Sequence, residues 1–238
     1  VYKRQPISIL LNNKKTVTSK LIKEFPCTPI HNNTFSFTNA SPDFRRKLLD
    51  RSIFIAEDNF SSNWFSYYRA LKQRNSMLKN NRISDIYAWN EMLVEEGTKL
   101  DNYRKDFFDK TIEEFHTLLE ILKPYNVFDF FDVINISFFQ GWDNEKSLLE
   151  ILEENKQTDI RRKTTTSGPH KSDIKFLIKD IDAKQILSRG EQKFFSILWS
   201  CAQHEVLKKH YRIDATLIID DIRSCLLYTS DAADDQAS

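Results

Sequence analysis

The residues of this chain best suited to chemistry are two carboxylates at the end of an apolar run. The stretch "ATLIID" has the composition of a buried strand; Asp220 ends it and Asp221 follows. Such a strand places its terminal carboxylates at the carboxyl edge of a sheet, where ligands bind in α/β folds. There Asp220 would hold Mg²⁺ and Asp221 would orient an attacking water. Apolar runs that end in acids are common, so this pattern needs support from elsewhere in the chain.

A second pattern, "LSRGEQK" at 187–193, could bind a phosphate. Ser188 offers a hydroxyl, the helix predicted after it offers backbone N–H groups and a positive end, and Gly190 lets the backbone come close. The alternative is an ordinary helix cap, because Ser188 with Glu191 three residues later is the capping-box pattern. The order of loop, helix and acid-ended strand favours half of an ABC-type ATPase site. Its nucleotide-binding residues would be Leu187, Ser188, Arg189, Gly190, Glu191 and Gln192.

The turn "SGPHKSD" precedes both patterns. Gly168, Pro169 and His170 are candidates for the edge of the same site, although a single histidine in a turn is usually a surface residue. The sequence contains no GxxxxGK[ST] phosphate loop. It also shows no Ser/His/Asp hydrolase arrangement, zinc-ligand spacing or paired-carboxylate glycosidase pattern.

Composition predicts long helices and few sharp turns. Of 238 residues, 40% are hydrophobic and 29% charged; Phe is frequent (18), and Gly (4) and Pro (6) are scarce. Three isolated cysteines, Cys27, Cys201 and Cys225, predict neither a disulfide framework nor a zinc site. No apolar run approaches the ~18 residues of a membrane span, and no secretory leader is evident, so we expect a cytoplasmic protein without membrane contact.

The charge distribution is uneven although the net charge is only +1. Residues 43–82 are mainly basic, 84–154 mainly acidic and 156–193 basic again, which is typical of solvated helix faces. Basic stretches brought together by folding could instead form a phosphate-binding surface. The candidate DNA contacts are Arg45, Arg46, Lys47 and Lys72, although the sequence favours structural pairing with the acidic segment for them over DNA contact.

Periodicity places these motifs on regular elements. A helix begins with Ser41 as N-cap and Pro42 at its first position, and apolar residues three or four apart continue to about Tyr125, with a break at Asn80–Asn81. This aromatic stripe predicts packing rather than a cofactor site. The other predicted elements are a hairpin within 7–22, a loop over 24–33, strands over 133–142, 173–178 and 215–220, and helices over 146–160 and 191–210.

The two ends share a feature at the level of DNA. Back-translation of "VYKRQ" and reverse complementation give codons that begin "CLLYT", the start of the closing "CLLYTSDAADDQAS". This sequence resembles the transposon end used in tagmentation sequencing libraries. We therefore expect residues 1–5 and 225–238 to be translated adapter, with an open frame between them and the missing phosphate loop lost by fragmentation.

Collinear motifs give the chain a resemblance to RecF, a bacterial family of ABC-type ATPases in recombinational gap repair. "SPDFRRKLLD" is similar to the family's Pro-x-x-Arg-Arg segment, "ALKQRNSMLK" to its Leu-Lys-Gln-Arg-Asn helix, and "SFFQGWDNEKS" to its Gly-Trp strand. "GPHKSD", "LSRGEQK" and "LIIDDIRS" match its last three motifs in order. The resemblance covers 7–224 and about the middle three fifths of a family protein. The loop "TPIHNNTFSF" departs from it, with Ile30 where many members have an acid.

The resemblance implies an α/β fold, α+β by content: a partial ABC-type ATPase head with an inserted helical arm and without its Walker A lobe. Head segments would cover 6–40 and 131–224, and the arm 41–130. Two heads would sandwich ATP and Mg²⁺, with 187–192 acting in trans, Asp220 and Asp221 in cis, and Ser224 opening a coupling loop. The homodimer would clamp double-stranded, single-stranded or gapped DNA and act with RecO and RecR to load RecA, in the SOS response and replication restart.

Two other functions compete with this one. The nucleotide-binding subunit of an ABC transporter shares the signature and the acid-ended strand but has no counterpart of "LKQRN". A non-catalytic helical module would carry these motifs by chance, which five collinear motifs argue against. Without Walker A we expect the 238-residue chain alone neither to bind ATP tightly nor to hydrolyse it, and an unpaired sheet edge predicts poor solubility.

Overall fold

The computed structural model describes residues 8–31, 37–125 and 133–220. Both predicted adapter segments, together with Asp221 and Ser224, lie outside these ranges. None of the helices in the described part combines the length and apolar character that a bilayer span requires.

The chain enters the fold through a hairpin of β1 (Ile9–Leu11) and β2 (Lys14–Thr16), which pair antiparallel. Asn12 and Asn13 turn between them with φ of 50° and 62°, the left-handed pair that a type I′ turn requires. The predicted hairpin is confirmed, but its second arm is shorter than expected. The chain leaves the ladder after Thr16 and forms α1 (Thr18–Glu24), whose first turn is closed by hydrogen bonds to the carbonyl of Val17.

A parallel pair of strands corrects two predictions. The predicted loop contains β3 (Cys27–Ile30), which pairs with β7 (Thr216–Ile219) despite Pro29, because tertiary pairing overrides the local preference. The predicted buried strand β7 is instead exposed, with Ile218 at 49%. Within the described residues β3 is its one hydrogen-bonded neighbour, so β7 has an open edge.

Three helices follow, α2 (Pro42–Ala56), α3 (Phe60–Lys79) and α4 (Ile86–Leu122). Ser41 caps α2 through the amide of Phe44, with Pro42 in the first turn, as predicted. The chain breaks after α3 at Asn80–Asn81, where Asn81 takes a φ of 56°. α3 and α4 run antiparallel, and their facing stripes are buried as the periodicity predicts (Tyr67, Ala70, Leu71, Leu78, Leu93 and Leu100).

The second half forms a small antiparallel sheet with helices around it. β4 (Ile134–Phe139) pairs with β5 (Asp173–Ile178), and β5 pairs with β6 (Ile181–Asp182). The predicted single helix over 146–160 is two, α5 (Leu148–Glu154) and α6 (Lys156–Arg162), separated at Asn155. α7 (Ala183–Ile186) and α8 (Arg189–Lys209) complete the element order.

An aromatic cluster joins α4, α8 and the antiparallel sheet into one core. Trp199 of α8 lies within 5.8 Å, between ring centroids, of Phe115 on α4 and Phe176 on β5. Phe195 packs against the same two rings at 5.2 and 5.1 Å. The long helices are thus packed directly on the elements that carry the nucleotide motifs, and the predicted packing role of the aromatic stripe is confirmed.

Candidate functional site

Ser188 is the N-cap of α8 and forms a complete capping box with Glu191. The Ser188 hydroxyl accepts a hydrogen bond from the Glu191 amide at 3.3 Å, and the Glu191 carboxylate accepts one from the Ser188 amide at 2.6 Å. This confirms the local cap that the sequence pattern allowed. It also sets the residue at which α8, a helix of 21 residues, begins.

The cap leaves part of the helix start open to a ligand. The amides of Arg189 and Gly190 have no acceptor among the described residues, and the side chain of Arg189 is exposed. Such amides at a helix N-terminus carry a partial positive charge that suits phosphate oxygens. Gly190 has ordinary helical backbone here, so an open approach to the helix, rather than a positive φ, is its contribution.

Gln192, by contrast, faces inward. Its side chain is 6% exposed, and its amide nitrogen donates to the carbonyls of Leu187 at 2.7 Å and Lys184 at 3.2 Å. Its amide oxygen accepts a hydrogen bond from the side chain of Asn39. Because Leu187 is itself buried, Gln192 holds the residue that precedes Ser188 and so positions the loop.

Asp220 lies at the carboxyl end of the parallel strand pair, as predicted. Its amide donates to the carbonyl of Ile30 at 2.9 Å, and its exposed carboxylate has no partner among the described residues. A free carboxylate at this edge fits a Mg²⁺ ligand. The part of the chain that the structure describes contains no cluster of three or more His, Cys, Asp or Glu that could hold a metal, and the second predicted acid, Asp221, lies outside it.

The packing of the strand pair on α8 indicates how Asp220 and Ser188 are placed relative to each other along that helix. Ile30, whose carbonyl accepts the Asp220 amide, packs against Ile197 and Cys201 in the middle of α8. Ser188 is nine residues earlier than Ile197, which is roughly 13 Å along a helix axis. The 187–190 segment at the start of α8 and the strand residue that pairs with Asp220 therefore contact different levels of α8.

The turn at 168–170 is built around a backbone that only glycine tolerates. Gly168 has a φ of 134°, and a Cβ there would lie 2.9 Å from the hydroxyl oxygen of Tyr67. Its neighbour Gly141 has a φ of 104°, and a Cβ there would lie 2.1 Å from the Gly168 carbonyl oxygen. The Pro169 carbonyl accepts a hydrogen bond from Arg104 at 2.6 Å. The turn is therefore tightly held.

His170 occupies an interior position in this turn. One ring nitrogen lies 2.7 Å from the Tyr67 hydroxyl, and the other lies 3.1 Å from the Thr165 carbonyl. Burial lowers the pKa of His170 from 6.5 to about 4, against the smaller opposing effect of the Thr165 hydrogen bond. The ring is neutral at physiological pH, donating to Thr165 and accepting from Tyr67. Its role at a site edge stays a prediction, while its structural role is evident.

Two buried arginines hold this region in place. Neither was singled out from the sequence. Arg74, from "LKQRN", pairs with Asp159 at 2.7 Å, both almost fully buried, and donates to the Thr165 hydroxyl at 2.7 Å. Arg104 makes a bidentate pair with Asp50, 2.7 Å for each bond. The sequence did contain a signal for both, because each arginine falls within the apolar stripe of its helix, α3 or α4.

The four candidate DNA contacts are not equivalent. Arg45 makes a bidentate pair with Asp173 at 2.8 Å per bond, and Arg46 donates to the Ser172 carbonyl at 2.6 Å. These two side chains are largely buried and hold the start of β5. Lys47 and Lys72 are exposed, and Lys47 pairs with Asp43 on its own helix. Pairing is structural for Arg45 and Arg46, whereas the pair of Lys47 is exposed, and none of these partners lies in the acidic segment 84–154.

Comparisons with known proteins agree with this architecture. The chain is 31% identical over 209 residues to the DNA replication and repair protein RecF of Hahella chejuensis, covering 86% of this chain and 55% of that protein. It is 32% identical over 201 residues to the RecF protein of Coxiella burnetii strain CbuK_Q154, covering 84% and 55%. No protein-family model matches. The predicted resemblance to RecF is confirmed, and the chain spans about half the length of these relatives.

Solved structures give the same result for the fold. A structure of the recombination mediator protein RecF with ATP, from the RecFOR pathway, matches with a TM-score of 0.76 at 20% identity. The match covers 90% of this chain and 59% of that one. The mixed helix and strand fold is therefore that of part of the RecF structure, and the predicted fold class is confirmed.

Proposed function

We propose that this chain, whose sequence is similar to RecF along most of its length, forms part of a DNA-repair ATPase of that type. The observation that carries the proposal is the exposed start of α8. There Arg189 and Gly190 present a cation and two amides that have no acceptor in the part of the chain that the structure describes, in a chain similar to RecF. The supported substrate is the phosphate end of ATP with Mg²⁺.

Each described residue has a role in this proposal. The amides of Arg189 and Gly190 and the Ser188 hydroxyl would contact the γ-phosphate of an ATP bound to a second protomer. Gln192 would keep Leu187 and Ser188 in place from the interior. Asp220 would hold Mg²⁺ for the ATP of its own protomer, with Asp221 as the group that orients water. The segment that Asp220 pairs with packs on α8 at Ile197, roughly 13 Å along the helix axis from Ser188, which supports two separate half-sites.

The wider function follows from the same proposal. A homodimer closed on ATP would hold gapped or junction DNA in the cytoplasm and act with RecO and RecR in RecA loading, replication restart and the SOS response. Lys47 and Lys72 are the exposed candidates for DNA contact, and they are better placed than the structurally engaged Arg45 and Arg46. The transporter alternative is disfavoured, because the relatives that match are RecF proteins.

Association in trans tests the proposal. The 238-residue chain would be mixed with a complete RecF protein, with ATP or ADP, and complex formation measured by sedimentation. We expect a complex that depends on ATP. Ser188→Asp should weaken it by at least about tenfold, because aspartate keeps the N-cap but places a carboxylate beside the γ-phosphate. Ser188→Thr, which keeps the cap and the hydroxyl, is the matched control.

Two results would contradict the proposal. One is association that is equal with ATP and ADP, which would favour a non-catalytic interaction module. The other is full association by Ser188→Asp, which would remove the signature loop from the phosphate site. Thermal unfolding of both variants should match the original chain, which shows that any loss is not due to misfolding.

A further inference from the structure

A groove between α2 and α3 carries aromatic side chains that the ATPase proposal does not use. The aromatic groove is lined by Phe54, Phe60, Trp64 and Phe65, with Arg51 and Lys47 beside them, and has a volume of about 290 Å³. Phe65 is 67% exposed, although it is flanked by other aromatic rings and packs edge-on against Trp64 at 5.3 Å. Exposed aromatic surface in a concave site is typical of a binding site rather than of a free surface.

The charges around the groove favour an anion. Asp50 also lines it, but Arg104 pairs with this carboxylate on both oxygens, and the Trp64 ring nitrogen donates to it at 3.0 Å. Lys47 is paired with Asp43. Arg51 alone of these cations has no carboxylate partner among the described residues; one of its nitrogens donates to the Cys27 carbonyl at 3.3 Å. An incoming carboxylate would therefore meet an uncompensated guanidinium.

The side chains that line the groove favour a peptide over a nucleic acid as its ligand. A nucleic acid binds through several phosphates and through hydrogen bonds to base edges, whereas four of the nine residues that line the groove are aromatic, and Arg51 is the one lining cation without a carboxylate partner in the described part of the chain. A peptide needs an apolar pocket for one anchor side chain and a polar rim for its neighbours. The groove has both features.

We propose that the aromatic groove binds an acidic peptide segment of a partner protein. An aromatic or aliphatic side chain of the peptide packs against Trp64 and the exposed Phe65, above the buried Phe60, and a neighbouring carboxylate pairs with Arg51. This interaction does not depend on ATP, because the groove lies on α2 and α3 and contains none of the signature residues or Asp220.

Fluorescence anisotropy with defined probes tests this proposal. The probes are a short aspartate-rich peptide with one central phenylalanine, the same peptide with alanine in its place, and single-stranded oligo(dT). We expect the phenylalanine peptide to bind at least about tenfold more tightly than the alanine peptide, with or without ATP. Phe65→Ala should remove most of this difference, and Arg51→Gln should weaken binding and reduce its salt dependence.

A matched control comes from another exposed aromatic residue. Tyr87, at the start of α4, is 57% exposed, and Tyr87→Ala should leave peptide binding unchanged. Since Phe65 is mostly exposed, Phe65→Ala should unfold at the same temperature as the original chain. Equal binding of the two peptides, unchanged binding by Phe65→Ala, or competition by oligo(dT) at lower concentration than the peptide would overturn the proposal. The last outcome would assign the groove to nucleic acid.

Discussion

Replacing Arg74 by alanine would leave the carboxylate of Asp159 buried without its cation. The two side chains are 1% and 0% exposed, and their closest atoms are 2.7 Å apart. The same guanidinium also donates to Asn90 and Thr165, each at 2.7 Å. Arg74→Ala therefore breaks an ion pair and two further hydrogen bonds that join α3, α4 and the segment before the 168–170 turn.

The expected loss of stability is about 4 kcal/mol. Removing one partner of a buried ion pair typically costs ~3–5 kcal/mol, because the other charge stays desolvated. Asp159 keeps its hydrogen bonds from the Thr166 amide and hydroxyl, at 2.9 and 2.6 Å, which limits the loss. With an m-value of about 2–3 kcal/mol/M, the midpoint of urea unfolding should fall by about 1–2 M. Far-ultraviolet circular dichroism at pH 7 measures it.

Lys72→Ala provides the control. Lys72 lies on the same helix two positions earlier but is exposed, so its removal should change the unfolding free energy by less than about 0.5 kcal/mol. Adding Asp159→Asn to Arg74→Ala should recover part of the loss, because the buried charge is gone. A midpoint shift of Arg74→Ala no larger than that of Lys72→Ala would refute the argument that this pair holds the 168–170 turn.

The remaining predictions concern protonation and glycine. Between pH 6.5 and pH 4, the unfolding free energy of the original chain should fall by about 3 kcal/mol more than that of His170→Asn. The reason is that the unfolded chain takes up a proton near pH 6.5, whereas the folded chain does so only near the His170 pKa of about 4. Urea titrations across this range measure how the unfolding free energy changes with pH. The control variant His116→Asn, at an exposed site, should show the same change as the original chain. Gly141→Ala should prevent stable folding, judged by soluble yield and near-ultraviolet dichroism, because its Cβ would meet the Gly168 carbonyl oxygen. Gly190→Ala should instead raise stability by up to about 1 kcal/mol while weakening ATP-dependent association, and unchanged association would contradict a phosphate-facing role for Gly190.

Most of the helical architecture follows from the sequence. The start of α2 follows from its cap, and the break between α3 and α4 from Asn80–Asn81, but the sequence pattern contains no sign of the break at 57–59 that separates α2 from α3. The parallel pair could not be predicted in the same way. β3 contains Pro29 and has four residues, and its register with β7 is set by a partner almost 190 positions later, which local propensity does not encode. The exposure of β7 also depends on its neighbours, since apolar composition alone predicts burial.

The site was predictable as a set of motifs but not as a set of contacts. Gln192 belongs to the signature pattern, yet its side chain serves the interior, through Asn39 and two loop carbonyls. His170 carries the residue type of a proton shuttle, but burial and two hydrogen bonds make it a neutral structural group. Residue type indicates which chemistry is available, while burial decides whether a side chain can use it.

The start of α8 shows why a cap and a phosphate site are compatible functions of one sequence. The capping box satisfies the amides of Ser188 and Glu191 and leaves those of Arg189 and Gly190 without a described acceptor. A helix has several unpaired amides at its start, and a capping box uses only two of them. The Glu191 carboxylate partly neutralises the positive helix end, so the exposed Arg189 cation is the group that restores attraction for a phosphate. The pattern "SRGE" therefore encodes a stable helix start, and the two amides that the capping box leaves without a described acceptor are the ones proposed to bind a phosphate.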